Sequence, residues 1–268
     1  MPHWFYNASY LTALLIIYLF CCSVSFVGYK ISRVFFQKVD KYEIVTKIVW
    51  QTVLFFSTML ITFWIAINWH NLRNLTQVTN MEAQKIERVY SYSELPKDPK
   101  YTKKLRTALM KYLDSVINKE YKSLEIGFLN NETLLDFQNF VKIANDYLPN
   151  NSRTNEFAYN RLLIAIEELA QVRTDRLSYL PGELNGVLLG FFIVIMIVGC
   201  FWTGAIYSGN LLFSLIIIMS QNIIMGSSIW LILEIDKPFQ GEIKVTNQAF
   251  VEAKDEIQRI NSRKKIHE

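Results

Sequence analysis

The residues best placed for chemistry lie where a long apolar stretch ends, in LILEIDKPFQGEIKV (residues 231–245). Glu234 and Asp236 supply two carboxylates there, and lipid-buried helices rarely carry such charges at their middle. Pro238 ends a helix because it lacks a backbone N–H, and Gly241 lets the backbone reverse. The pattern predicts a turn rich in charges, of both signs, at a membrane surface.

Two arginines are predicted to lie on the same side of the membrane as this turn. Arg173 and Arg176 fall near the end of a long predicted helix that leads into another apolar stretch. We expect them to pair with Glu234 or Asp236, with Phe239 as an apolar anchor, so that the polar part of the chain is clamped to the membrane part. The alternative is that the two carboxylates attract permeant cations.

Patterns typical of enzymes and metal sites are absent from the sequence. It has no HExxH, no glycine-rich phosphate loop and no Gly-x-Ser-x-Gly. Cys21, Cys22 and Cys200 all lie in apolar segments, and the three histidines are scattered, so we predict neither a disulfide framework nor a metal site. We therefore expect no catalysis and no cofactor. Nucleic acid is not an expected partner, because the net charge is only +4 and no dense basic block appears.

Four apolar stretches are each long enough to cross about 30 Å of hydrocarbon, which takes roughly 20 helical residues. They cover about residues 8–28, 48–69, 185–207 and 211–234. The first has no positively charged start and no small-residue cleavage site, so we interpret it as a retained helix. The lipid bilayer is therefore the expected environment of these segments.

The polar middle of the chain is predicted to be helical throughout, since it shows helical spacing and no sustained alternation. We expect helices at about residues 71–93, 98–126, 132–148 and 152–179, with Asp98 and Asn131 as N-caps. The predicted fold class is an all-α membrane protein, in which a helical soluble domain is inserted between the second and third of four transmembrane helices. The predicted domains are residues 1–70 (transmembrane helices 1 and 2), 71–183 (soluble helical domain), 184–235 (transmembrane helices 3 and 4) and 236–268 (soluble tail with an extended turn and a helix).

An even number of spans places both termini and residues 71–183 on one face of the membrane. Positive charges near the spans divide almost equally between the two faces, so they do not fix the orientation. Because no cysteine lies in the polar middle, we expect the termini and the helical domain to be cytoplasmic.

Several motifs resemble those of the bestrophin-like proteins of bacteria, a family of four-span membrane proteins. The resemblance covers about residues 45–250 and is most specific in RTDRL (173–177), Pro181 and DKPFQGEIKVTNQAF (236–250). The matching positions are Arg173, Arg176, Leu177, Asp236, Pro238, Phe239, Gly241 and Phe250. Lys237 stands where the family more often has arginine, which keeps the charge but loses the planar fork of donors.

This resemblance implies an inner-membrane protein of bacteria, remotely related to the bestrophin ion channels, which are pentamers. Passage of inorganic ions through a pentamer follows from it as an expectation. A homo-oligomer is also favoured by the residues themselves, since Leu162, Leu163, Ile164 and Ile166 indicate a second buried face on one helix. In such an oligomer, the second apolar stretch is the best candidate to line a central axis.

Two rows of side chains in that stretch could form a constriction. Phe56, Leu60, Trp64 and Asn68 recur every four residues, and Phe63 belongs to the neighbouring row. Around five copies these rows would make a narrow apolar passage that gates by dewetting. The alternative is that the side chains face lipid or neighbouring helices.

The fourth apolar stretch contains the polar sequence SQN (220–222). Gln221 and Asn222 must find partners inside the protein, because an unpaired amide in hydrocarbon costs several kcal/mol. They could hold helices together or line a path for ions.

Two functions remain open at the level of sequence. One is an oligomeric ion channel with an apolar constriction from the second transmembrane helix. The other is a non-conducting membrane scaffold or accessory subunit, which binds a partner through its helical domain.

Overall fold

The computed structural model describes residues 10–35, 43–147, 153–180, 186–205 and 211–267. Over these ranges the chain is helical and contains no strand, which confirms the all-α prediction. The α-helices are α1 (Tyr10–Phe35), α2 (Glu43–Tyr92), α3 (Pro99–Ser115), α4 (Tyr121–Glu125), α5 (Asn131–Asn145), α6 (Arg153–Ser178), α7 (Gly186–Ala205), α8 (Leu211–Asp236) and α9 (Gln248–His267). A five-residue π-helix, Val116–Glu120, joins α3 to α4.

Four of these helices are long and apolar enough to cross a membrane, as predicted. The candidate spans are Leu11–Val34 in α1, part of Lys47–Tyr92 in α2, Val187–Ala205 in α7 and Leu212–Asp236 in α8. The chain divides into two compact units. The span unit comprises residues 1–71, 183–236 and 241–243, and the helical unit comprises residues 72–182, 237–240 and 244–268. The insertion of a soluble domain between spans stays a prediction.

The helical unit is built on an apolar stripe at helical spacing that begins in α3. Leu105, Leu109 and Tyr112 are fully buried there, and the stripe continues into Val116 and Leu124. Their spacing of three and four residues places them on one side of a helix, where they remove apolar surface from water.

The predicted caps and lengths of the helices need some correction. Asp98 does cap α3, since its carboxylate accepts hydrogen bonds from the backbone N–H groups of Lys100 and Tyr101. The cap of α5 is Asn130 rather than Asn131, because the Asn130 side chain accepts from the N–H of Thr133. The predicted single helix over 98–126 is interrupted by the π-helix, which inserts extra backbone into the turn.

The spacing of Leu134, Phe137, Val141, Ala144 and Leu148 predicts one inner face of α5, and the structure agrees in part. Ala144 is fully buried, and Phe137 and Val141 pack half-buried against the core. Leu134 is exposed, and Thr133 and Phe140 are buried instead. Leu148 lies outside the described residues.

In the span unit, α1 and α7 approach each other at glycines. A Cβ on Gly204 would overlap the carbonyl of Ser25, and a Cβ on Gly28 would overlap that of Phe201. Ser32 Oγ donates to the Ala205 carbonyl at 2.8 Å in the same contact. Small residues allow this close approach, which membrane helices need because lipid supplies no hydrophobic force between them.

Replacing Gly204 by alanine should therefore loosen the contact between α1 and α7. The added methyl group meets backbone, which cannot move aside like a flexible side chain, so we expect destabilisation of about 1–3 kcal/mol. A lower melting temperature of the purified protein in detergent would show it. Gly190→Ala is the matched control, because nothing lies within 4 Å of its added Cβ. Equal melting temperatures for the two variants would contradict the proposed contact.

Candidate functional site

Two arginines of α6 meet two glutamates in the interior of the helical unit. Arg173 Nη2 donates to Glu120 Oε2 at 2.6 Å, and Arg173 Nη1 lies 3.2 Å from Glu120 Oε1. Arg176 Nε donates to Glu82 Oε2 at 2.6 Å, and Arg176 Nη2 also contacts Glu120 Oε1. All four side chains are at least 95% buried. With two positive and two negative charges, this group, here called the charge cluster, is neutral.

Tyr112 ties the two halves of the charge cluster together. Its hydroxyl donates to Glu82 Oε1 at 2.7 Å and accepts from Arg173 Nη1 at 2.9 Å. One fully buried hydroxyl therefore satisfies a donor on one ion pair and an acceptor on the other. Buried polar groups are tolerated when such partners are complete.

Three parts of the chain bring the charges together. The π-helix between α3 and α4 ends at Glu120, the second half of α2 carries Glu82, and α6 carries both arginines one turn apart. π-helical turns are uncommon and frequently occur at functional sites. Here the turn carries one of the two acids of the charge cluster.

The charges and the burial of the cluster shift the pKa values of its side chains. Burial alone would raise the pKa of Glu120, but Arg176 and Arg173 outweigh it and lower that pKa below its ordinary value. Burial would lower the pKa of Arg176, but Glu82 and Glu120 outweigh it and raise the pKa well above its ordinary value. Burial raises the pKa of Tyr121 to about 12. At neutral pH, Glu120 and Arg176 are therefore ionised and Tyr121 is not.

Aromatic rings surround both guanidinium groups. Arg176 lies over Tyr121 and Phe250, with 5.6 and 5.3 Å from its Cζ to the ring centroids. Arg173 lies 5.2 Å from the ring centroids of Tyr112 and Phe137. The rings exclude water and contribute cation–π attraction, which strengthens when the cation is desolvated.

The expected partners of the two arginines were wrong. We predicted Glu234 or Asp236, and the structure gives Arg173 and Arg176 the carboxylates of Glu120 and Glu82 instead. The reason is that α6 turns this face into the core of the helical unit, where an unpaired charge could not remain. A role of these residues in clamping the two parts of the chain stays a prediction.

Glu234 has a different role within the span unit. Its Oε1 accepts hydrogen bonds from the backbone N–H groups of Glu242 and Ile243. Gly241 has a φ of +75°, and a Cβ there would overlap the Glu234 carboxylate. The carboxylate therefore binds the backbone of the reversed chain, and glycine is required on two grounds, conformation and space.

The remaining residues of the predicted turn lie as follows. The α8 helix ends at Asp236, just before Pro238, as the proline predicts. Within the helical unit, Phe239 is 2% exposed and its ring packs edge-on against Tyr121, with 6.2 Å between centroids. The Pro238 carbonyl accepts from the N–H of Val245 at 2.8 Å. Pro181 lies outside the described residues.

The candidate pore residues of α2 do not share one face. Phe56, Leu60 and Phe63 are exposed, whereas Trp64 packs on Phe192 of α7 with 5.7 Å between ring centroids. Asn68 is 4% exposed, and its side-chain amide donates to the Trp64 carbonyl. A row spaced by four residues rotates by about 40° at each step, because a residue turns about 100°. The row therefore passes from the surface into the span unit.

Asn222 of α8 holds helices together. It is fully buried, and its Nδ2 lies 3.6 Å from Cys22 Sγ. Ser25 Oγ lies 3.0 Å from Asn222 Oδ1 and 2.9 Å from the Cys200 carbonyl, so its single proton can serve either acceptor. Asn222 thus links α8 to α1, and Ser25 of α1 in turn contacts α7. A path for ions along this span stays a prediction.

Comparison with known families fits this architecture. The model of the Bestrophin-like domain matches residues 15–250, from α1 to the first turn of α9. The chain belongs to the Bestrophin-like family. No curated protein and no solved structure matches it. The matched range includes Glu82, Glu120, Arg173 and Arg176, so the whole charge cluster lies within the Bestrophin-like domain.

The described residues offer no group of three or more His, Cys, Asp or Glu side chains that could hold a metal ion. The carboxylates of the charge cluster are occupied by guanidinium groups. The geometry therefore supports a structural role for the charge cluster, which holds α2, α3 and α6 in one arrangement.

Replacing Glu120 by glutamine should destabilise the helical unit by about 3–5 kcal/mol, because the uncharged amide leaves a buried guanidinium uncompensated. Hydrogen exchange at amides of α3 and α6 in the full-length protein measures this change as a lower free energy of opening. Glu132→Gln is the matched control, since Glu132 pairs with Lys119 at the surface, and it should change little.

The effect of Glu120→Gln should also depend on pH. The pKa of Glu120 is lowered in the folded protein, so its contribution is complete above the ordinary carboxyl pKa of about 4.3 and is lost as the pH falls through the lowered value. The difference between wild type and variant should shrink in that acidic range. A difference that grows towards acidic pH would contradict the assignment.

Proposed function

We propose that this protein is an oligomeric ion channel of the Bestrophin-like family, with α2 lining the central axis. The observation that carries the proposal is the exposure of α2 within its own chain. In the most apolar 18-residue stretch of α2, only 11% is buried by the rest of the chain. The corresponding values are 22% for α1, 33% for α7 and 28% for α8. A helix that lines an axis between copies must be left uncovered by its own chain, and α2 meets this condition.

The exposed side chains of α2 have the chemistry of an apolar constriction. Phe55, Phe56, Met59 and Phe63 are each more than half exposed and lie within about two turns. If they face an axis, a ring of such side chains would pass ions only when it widens enough to be wetted. Trp64 and Asn68 belong to the packed side of the helix and support it from behind.

We infer that the oligomer is a ring, and we propose that it contains five copies of the chain. One copy of the chain cannot form a passage by itself, because a single exposed helix face needs neighbours to enclose water. The mass of the purified protein in detergent gives the number of copies. A monomer would contradict the channel.

Phe63→Ala should increase the unitary conductance of the purified protein in planar bilayers, because it shortens an exposed side chain at the constriction. Phe20→Ala is the matched control, since Phe20 is 45% exposed on α1 and does not belong to the proposed axis. It should leave the conductance unchanged. A protein that is silent in bilayers, or equal currents for Phe63→Ala and wild type, would contradict the proposal.

A second candidate function is a non-conducting scaffold that binds a partner through the helical unit. The observation that favours it is the exposure of two large apolar side chains on α6, Phe157 at 71% and Ile164 at 57%. They lie two turns apart on one side of the helix. A silent protein that co-purifies with a defined partner, and loses it on Phe157→Ala, would support the scaffold over the channel.

For orientation, we propose that both termini and the helical unit are cytoplasmic. The support is the absence of cysteine from residues 71–183. A cysteine introduced at Asn150 should stay unlabelled when intact cells are treated with a membrane-impermeant thiol reagent. Labelling should appear once the cells are permeabilised, and labelling before that step would reverse the orientation.

A further inference from the structure

The turn between α4 and α5 exposes large apolar side chains. Ile126, Phe128 and Leu129 are 54%, 62% and 56% exposed, and Leu135 in α5 is 63% exposed. Three such residues within four positions are unusual on a surface that must face only water, because contiguous exposed apolar patches mark contacts with protein or membrane.

A packing contact and a short stretch of chain connect this turn to the end of a span. Gly127, with a φ of +85°, lies so close to Gln240 that an added Cβ would be 2.8 Å from its Nε2. Gln240 follows Asp236, the last residue of α8, by only four positions. Four residues reach at most about 14 Å even when fully extended. The turn is therefore tethered to the point where α8 ends.

The length and the charges of α8 predict that its C-terminal end lies at the level of the lipid headgroups. The candidate span Leu212–Asp236 has 25 residues. A helix of that length measures about 37 Å and exceeds the hydrocarbon thickness of about 30 Å. Since Glu234 and Asp236 are its last charged residues, this end and not the middle of the helix belongs in the interface.

We propose that the turn Ile126–Leu129 inserts its apolar side chains into the interfacial region of the same bilayer that holds the spans. It thus gives the helical unit a contact with lipid in addition to its covalent connections. The tether makes insertion an intramolecular event, so even a weak affinity for lipid is sufficient to keep the turn bound.

The charges around the turn are compatible with a lipid surface. Glu125 pairs with Lys244 at 2.7 Å, and Glu132 pairs with Lys119 at 2.6 Å. These pairs reduce the repulsion between the two acids and anionic headgroups. Lys122 is exposed one turn before the apolar side chains, where its positive charge is attracted to such headgroups.

A tryptophan introduced at Phe128 tests the contact directly. The full-length Phe128→Trp protein is reconstituted in vesicles whose lipids carry bromine on an upper acyl carbon, and the wild-type emission is subtracted to remove the six native tryptophans. We expect the added emission to be quenched by the brominated lipid and protected from aqueous iodide. Phe157→Trp is the matched control, on an exposed position of the same unit, and should show no quenching by brominated lipid.

Quenching of the residue-128 tryptophan by iodide, without quenching by brominated lipid, would overturn the proposal in favour of a solvated turn. Protection from both quenchers would overturn it in favour of contact with a second copy of the chain. If Phe128→Trp fails to fold, Leu129→Trp gives the same readout from the neighbouring exposed position. Failure of the protein to conduct ions would leave these outcomes unchanged, so the two proposals fail separately.

Discussion

The helical unit depends on the neutrality of its buried charges. Glu82 and Arg176 are fully buried, and Glu120 is nearly so, hence none of them can be compensated by water. An isolated ion in such an interior would cost several kcal/mol, and the opposite charges of the cluster offset that cost. The position of each charged side chain is therefore coupled to the positions of the others. Because they come from α2, the π-helix and α6, this requirement fixes the packing of three separate parts of the chain.

The irregular backbone of the π-helix helps to pair the buried charges. Each residue of a regular α-helix turns the chain by about 100°, so one extra residue in a turn changes the direction of every side chain that follows. Val116, at the start of the π-helix, and Leu124, just after it, are both fully buried, as is Glu120 between them. The irregular turn thus keeps the apolar residues in the core while presenting the acid to both arginines. A hydrophobic stripe that contains a glutamate is tolerated only because the guanidinium groups meet it there.

The sequence predicts the elements better than it predicts their partners. The four candidate spans, the helices and the cap at Asp98 could be predicted from hydropathy, spacing and capping chemistry, which act within short segments. The partners of Arg173 and Arg176 could not, because Glu82 and Glu120 are brought to them by contacts between helices that are distant in sequence. A signal was available: Glu82 and Glu120 occupy core positions of apolar stripes, and a charge at such a position calls for a buried partner. The residues that define these stripes are Leu75, Thr79, Ile86 and Val89 in α2, and Leu113, Val116 and Leu124 around the π-helix.

The two units are stabilised by different physics, and this difference bears on what α2 is free to do. In the span unit, α1 and α7 approach at Gly28 and Gly204, and Ser25 adds a hydrogen-bonding contact with Asn222 of α8. These three helices thus use small and polar residues on one another, as expected where lipid provides no driving force for association. The span part of α2 contacts α7 through the ring of Trp64 and through Trp50 Nε1, which donates to Thr203 Oγ1 at 3.2 Å, and it leaves its phenylalanine face uncovered. The same helix continues into the helical unit and carries Glu82, so the packing around the charge cluster fixes its second half. A helix that is held firmly at one end and uncovered at the other can present the same face in every copy, which is the condition for lining a symmetric axis.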